Sequence, residues 1–151
     1  MYHPLYEYTM KKLIAILALL AAPVLSAQTV GGADGQRPFE GHYYCSETGV
    51  HLYLNLYEAT LTVPGSEFLG PMHGYMQGGI YGTWMITARK VEGAVARLRF
   101  ANDIGSDTQS VDFRQVSDSV FTYQAVGGNA IRKAVGTKLV RVTGSMKFRR
   151  M

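Results

Sequence analysis

The chain has 151 residues, 47% of them hydrophobic, a formal net charge of +4 at neutral pH and one cysteine. That length bounds it to one modest domain with any leader attached. The charge is too mild, and too little interleaved with aromatic side chains, for a nucleic-acid partner. The lone Cys45 excludes an internal disulfide and leaves burial, pairing between chains or soft-metal ligation.

Residues 1–27 read as an export signal. Lys11 and Lys12 precede an apolar run over 13–22, Pro23 breaks it, and Leu25-Ser26-Ala27 offers a small residue at the cut. The run is shorter than the roughly 20 apolar residues that a membrane-crossing helix needs. Met10 is an alternative start. Gln28 comes after the cut where a lipoprotein would have cysteine, so the expectation is a non-lipidated bacterial protein, periplasmic or secreted, with no membrane span after cleavage. Residues 28–38 hold Gly31-Gly32, Asp34-Gly35 and Pro38, and read as a flexible lead-in.

The stretch 39–57, FEGHYYCSETGVHLYLNLY, organises the remainder of the chain. After a tight excursion at 45–49, Val50, Leu52, Leu54 and Leu56 alternate with His51, Tyr53, Asn55 and Tyr57, the period of a half-buried strand. Strands are expected at 39–45 and 50–58, with 60–63 as an extension or a short third. Residues 68–79 are rich in glycine and aromatics and read as a loop or irregular strand. Residues 80–89 form a strand with Ile80, Gly82, Trp84, Ile86 and Ala88 on one face. Further strands are expected at 94–100, 110–115 and 119–125. Residues 130–135 are a helical turn or a strand, 137–143 closes the set, and the basic tail 144–151 frays.

About eight short strands with turn residues between them, and no long helical pattern, predict an all-β domain over 39–143. The expected form is a small antiparallel eight-stranded lipocalin-like barrel, with a sandwich as the alternative.

Phe39-Glu40-Gly41, Cys45, Gly49-Val50, Leu52/Leu54/Leu56, Gly82-Thr83-Trp84, the hairpin 115–121 and Gly127-Gly128-Asn129-Ala130-Ile131 together resemble, in their order, the N-terminal barrel of NlpE-like proteins. The resemblance spans roughly 39–142. It implies a lipocalin-like barrel in the bacterial envelope, associated with copper resistance and envelope-stress sensing. Two features depart from that pattern: the family's Cys-x-x-Cys is here Cys45 and Thr48, and the lipidated N-terminal cysteine is missing. A fainter likeness, through Tyr43-x-Cys45, is to barrels that inhibit lysozyme.

The one constellation of soft ligands is Cys45 with Met72, His73 and Met76, since thiolate and thioether suit Cu(I) and imidazole suits Cu(II) or Zn(II). The competing reading puts the methionines in core gaps and the histidines at the surface. Tyr53, Tyr75 and Tyr81 are candidate contacts for a small ligand or an envelope protein. Gly41, Gly82 and Trp84 are candidate structural positions, Trp84 as a plug at one end of the barrel. No Gly-x-Ser-x-Gly elbow occurs, and Asp103 with Asp107 reads as a solvated hairpin tip, so no catalytic residues are named. The expected function is non-enzymatic. Either a cavity binds copper or a small molecule, or the exposed loop 68–79 docks on a partner protein.

Overall fold

A computed structural model describes residues 36–151, of which Arg37–Met151 form one compact unit. The expected export signal and most of the lead-in lie outside the described residues. Ten strands run in chain order: β1 (Glu40–Cys45), β2 (Val50–Asn55), β3 (Gly74–Gln77), β4 (Trp84–Glu92), β5 (Val95–Asn102), β6 (Thr108–Gln115), β7 (Val120–Gly128), β8 (Arg132–Val135), β9 (Lys138–Arg141) and β10 (Ser145–Arg150). Eight close into an antiparallel barrel in the order β1-β10-β7-β6-β5-β4-β3-β2, while β8 and β9 pair only with each other. The expected eight-stranded antiparallel barrel is therefore present, with a hairpin inserted between β7 and β10.

Two expectations are corrected at the C-terminal end. Residues 137–143 do not close the sheet, and 144–151 do not fray. The closing strand is β10, which lies between β1 and β7. Its sequence alternates buried Met146 and Phe148 with exposed Lys147 and Arg149, a period of two that its basic residues and terminal position obscured. A third correction concerns 80–89. The strand begins only at Trp84, and a β-bulge between Ile86 and Ala88 reverses the alternation, leaving Ala88 exposed. Residues 60–63 contribute one isolated bridge, Leu61 to Met72, and no strand.

The barrel is filled. Phe39, Tyr43, Trp84, Phe100, Phe113, Phe121, Tyr123 and Phe148 are fully buried with Leu52, Leu54 and Met76. Their rings interlock, with Phe113 stacked on Phe121 at 5.2 Å and Tyr43 edge-on to Phe121 at 4.8 Å. Each such side chain contributes about 2–3 kcal/mol by leaving water, with roughly 1 kcal/mol more per well-oriented pair. The polar tips inside are partnered. Tyr43 Oη donates to the Pro38 carbonyl, Tyr123 Oη donates to Gln109 Oε1, and Trp84 Nε1 donates to the Tyr81 carbonyl at 3.4 Å. Trp84 is buried at the start of β4, its register partners being Met76 and Asn102.

Closure depends on the last residues. β1 and β10 share two register pairs, Tyr43 with Arg150 and Tyr44 with Arg149. Arg150 Nη2 also reaches the carbonyls of Arg37, Pro38 and Glu40 at 2.8, 3.2 and 2.6 Å, and its guanidinium lies over the Tyr43 ring. Gly41 makes room for this. Its φ is +146°, and a Cβ there would stand 3.3 Å from Arg150 Nε. Gly82 is required in the same way, with φ +82° and space for a Cβ only 2.9 Å from Asp103 Oδ1.

Two outcomes are expected from this packing. Arg150→Met keeps the apolar stem but abandons three carbonyls, and is expected to cost about 2–3 kcal/mol in urea unfolding; an unchanged midpoint would mean that the clamp is incidental. Burial pushes the Tyr43 phenol up to about 12 from 10.0, with Arg150 opposing the shift. The folded state thus holds the Tyr43 proton more tightly than the unfolded state does. The resulting stability is full below pH 10 and is lost as pH rises through about 12. Absorbance at 295 nm should show Tyr43 and Tyr123 ionising only with unfolding, and their smooth titration in the native state would contradict the packing.

Candidate functional site

A binding barrel needs an internal cavity lined by converging polar groups. Here the interior is occupied by the aromatic core. At the surface is a shallow cleft of about 600 Å³ bordered by Gln109, Gly127, Gly128, Asn129, Arg141 and Thr143. A narrower one of about 130 Å³ lies between Tyr81, Trp84, Ile104, Arg132 and Leu139.

The soft-ligand set does not assemble. Cys45 and Met76 point into the barrel and are fully buried, sharing the core with Met146. His73 stands outside, where its Nδ1 lies 3.0 Å from the Asn55 carbonyl, and Met72 is half-buried beside Leu61. One ion would have to draw sulfur from inside the wall and imidazole from outside it. The physical reason is local: Met76 lies within β3 with its side chain in the core, whereas His73 sits at the bend before that strand and turns to the Asn55 carbonyl. Among the described residues no three His, Cys, Asp or Glu side chains are placed to hold a metal ion. The residues named for copper therefore do not fit it as a set.

The tyrosines also divide. Tyr53 and Tyr75 lie on the outer wall, not at the barrel mouth, and stack at 4.9 Å across β2 and β3. Tyr81 is exposed at one end, in the connection from β3 to β4. The Tyr53–Tyr75 pair continues into a ladder that sequence reading missed. Tyr53 stacks on His42 at 4.4 Å, His42 lies 5.1 Å from His51, and His51 packs on Tyr44 at 4.6 Å. His42 Nε2 and His51 Nδ1 are 2.8 Å apart, within hydrogen-bonding distance. The spacing is that of neighbouring strands. Rings stacked on one another present edges to solvent and hide their faces, so the ladder offers no stacking platform for a sugar. Its signal was the turn. With Cys45 opposite Val50, counting outward pairs Tyr44 with His51 and His42 with Tyr53.

The loop 68–79 expected to make contacts is only partly a loop, since 74–77 is barrel strand β3 paired with β2; its exposed part belongs to the connection that precedes that strand. Between β2 and β3 the chain is anchored by buried Leu56, Val63 and Ser66, then makes the 3-10 turn Glu67–Leu69. Ser66, Leu69 and Gly70 N–H groups donate to the carbonyls of Val63, Ser66 and Glu67, and Glu67 Oε1 accepts from Gly65 N–H at 3.0 Å. On this ordered turn Phe68 is 85% exposed and Leu69 45%. Asp103 is exposed in the connection between β5 and β6, and its Oδ1 also accepts the Thr83 N–H at 2.9 Å, tethering two turns.

No family model matches the chain, and comparison with curated proteins and with solved structures returns no match. The likeness to NlpE-like barrels therefore rests on the residues quoted for it.

Two measurements test this arrangement. The Cys45 thiol should fail to react with Ellman's reagent in the native protein and react fully once unfolded; prompt native reaction would contradict its burial. Burial first, and His51 second, hold the His42 imidazole below its ordinary 6.5. A depressed folded value makes the associated stability full above pH 6.5 and lost as pH falls below it, through the folded value. His42→Gln should flatten the change in urea midpoint between pH 7.5 and 5 that the parent shows, and parallel profiles would remove the pair from the account.

Proposed function

We propose that the protein is a non-enzymatic module of the bacterial envelope that acts by docking its apolar 3-10 tip, Phe68 and Leu69, into a pocket of another protein. The observation that carries this reading is a filled barrel bearing an ordered, projecting phenylalanine. A filled interior speaks against storage of copper or a small molecule there. A rigid aromatic on a hydrogen-bonded turn is what anchors an interface, because little side-chain and loop entropy remains to be lost on docking. The signal-like pattern over 1–27 supports an envelope address. The resemblance to stress-sensing and lysozyme-inhibiting barrels supports a protein as the target.

The test places a benzoylphenylalanine photocrosslinker at position 68 or at Val116, which is exposed on a separate turn, in protein exported by a bacterial host. A discrete adduct from position 68, missing from position 116 and abolished by Leu69→Asp, is the expected result. With the partner in hand, Phe68→Ala should weaken binding roughly 30-fold, the loss typical of a central anchor. Identical adduct patterns from both positions, or none from position 68, would overturn the proposal.

A further inference from the structure

The β8–β9 hairpin belongs to neither the barrel nor the apolar tip. None of the residues of its two strands is buried. Two-stranded ribbons are marginal in water, and this one is held at its root. Buried Ile131 and Val142 sit in the core, Val142 N–H donates to the Ile131 carbonyl at 2.8 Å, and Tyr81 N–H donates to the Arg132 carbonyl at 2.7 Å. The hairpin thus projects from the end of the barrel where β6 begins. The β6–β7 turn with Val116 lies at the opposite end.

Its composition is one-sided. Arg132, Lys133, Lys138 and Arg141 supply four cations, and no acidic residue follows Asp118 in the chain. The ion pairs among the described residues involve Arg37, Lys90 and Arg97, and none of these four. Between the cations stand bare aliphatic side chains: Val135 is 54% exposed, Leu139 46% and Val140 41%. Cross-strand register puts Lys133, Val140, Val135 and Lys138 on one face, and Arg132, Arg141, Ala134 and Leu139 on the other. Tyr81 and Ile104 are exposed at the same end. Glu47 in the β1–β2 turn and Asp103 and Asp107 in the β5–β6 loop lie at the same end, and against the four hairpin cations they leave it net positive by one.

We infer that this hairpin docks the protein peripherally on a bilayer carrying anionic phospholipid headgroups. Cations alone would suit any polyanion. Cations alternating with exposed aliphatics suit a surface that is anionic outside and apolar just beneath. Four residues per strand span about 13 Å, comparable to the 5–10 Å depth reached by interfacial elements. Val135 and Leu139, in the two register pairs nearest the tip, would enter the acyl boundary, with Val140 level with Lys133 one pair from the root. Arg132 and Arg141 at the root would meet phosphates, with the Lys138 stem at the tip and the Lys133 stem behind it snorkelling back toward the headgroups. Tyr81 suits the headgroup zone. The outer wall carries Arg97, Arg99 and Lys147, so contact is by this end and not by insertion of the barrel. The inference is independent of the Phe68 tip.

The experiment uses the full chain with an environment-sensitive nitrobenzoxadiazole label on Val140→Cys or on Val116→Cys, the buried Cys45 being left in place. Vesicles are phosphatidylcholine alone or with 30% phosphatidylglycerol. The expected result is a blue-shifted, brighter label at 140 with phosphatidylglycerol only, reversed by 0.5 M salt, with no response at 116. Lys133→Gln with Lys138→Gln should weaken binding roughly 20-fold, at about fivefold per cation, and Leu139→Ser should reduce the blue shift. All of these positions are exposed, and the near-ultraviolet signal of Trp84 verifies the fold. Equal responses at 140 and 116 would assign binding to the apolar run over 13–22 and overturn the inference. So would dextran sulfate binding as tightly as the vesicles with Leu139→Ser without effect, which would make the hairpin a polyanion site.

Discussion

The barrel exists because its last strand returns to its first. β10 must slide between β1 and β7, and only two register pairs hold it to β1. The shortfall is made up by Arg150, whose guanidinium ties three carbonyls at the start of the domain and covers the Tyr43 ring. Met151 N–H adds a bond to the His42 carbonyl, and Arg150 N–H one to the Ser119 carbonyl. A closed sheet has no free edge, and an open one would present two. The charged clamp therefore protects the fold as a whole from edge-to-edge pairing as well as contributing to its stability.

Closure with this many aromatic residues leaves no room inside. An eight-stranded barrel is just wide enough for side chains to fill it or for one small ligand, and here phenylalanine, tyrosine and tryptophan take the space. The two ends differ in character. One bears the projecting apolar pair Phe68 and Leu69 on a hydrogen-bonded turn. The other bears a cationic, aliphatic hairpin. A module that meets a protein with one end and an anionic bilayer with the other would hold its partner at a fixed height above the membrane.

The wall between these ends is not featureless. The ladder of Tyr44, His51, His42, Tyr53 and Tyr75 gives β1, β2 and β3 a lateral contact outside the core, with the His42–His51 hydrogen bond at its centre. Its rings face one another and not the solvent, which assigns it to stabilising the first hairpin and makes that hairpin sensitive to acid.

Local pattern was enough to determine β1 and β2, the turn at 46–49, the burial of the leucines of β2 and the all-β class, because alternation over six residues has one structural meaning, whereas β3 within 68–79 was left open between loop and irregular strand. The strand β10 was equally written, in SMKFRR, but its charge density and position masked it. What sequence could not determine was which strands neighbour one another and which side of the wall each ligand candidate takes. Met72, His73 and Met76 are close along the chain, yet Met76 points into the core from β3 while His73, at the bend before it, turns to the Asn55 carbonyl. Only closure decided that the interior would be full, that Phe68 would be left exposed, and that the basic run 132–141 would stand apart as a hairpin, since each of these depends on contacts between residues far apart in the chain.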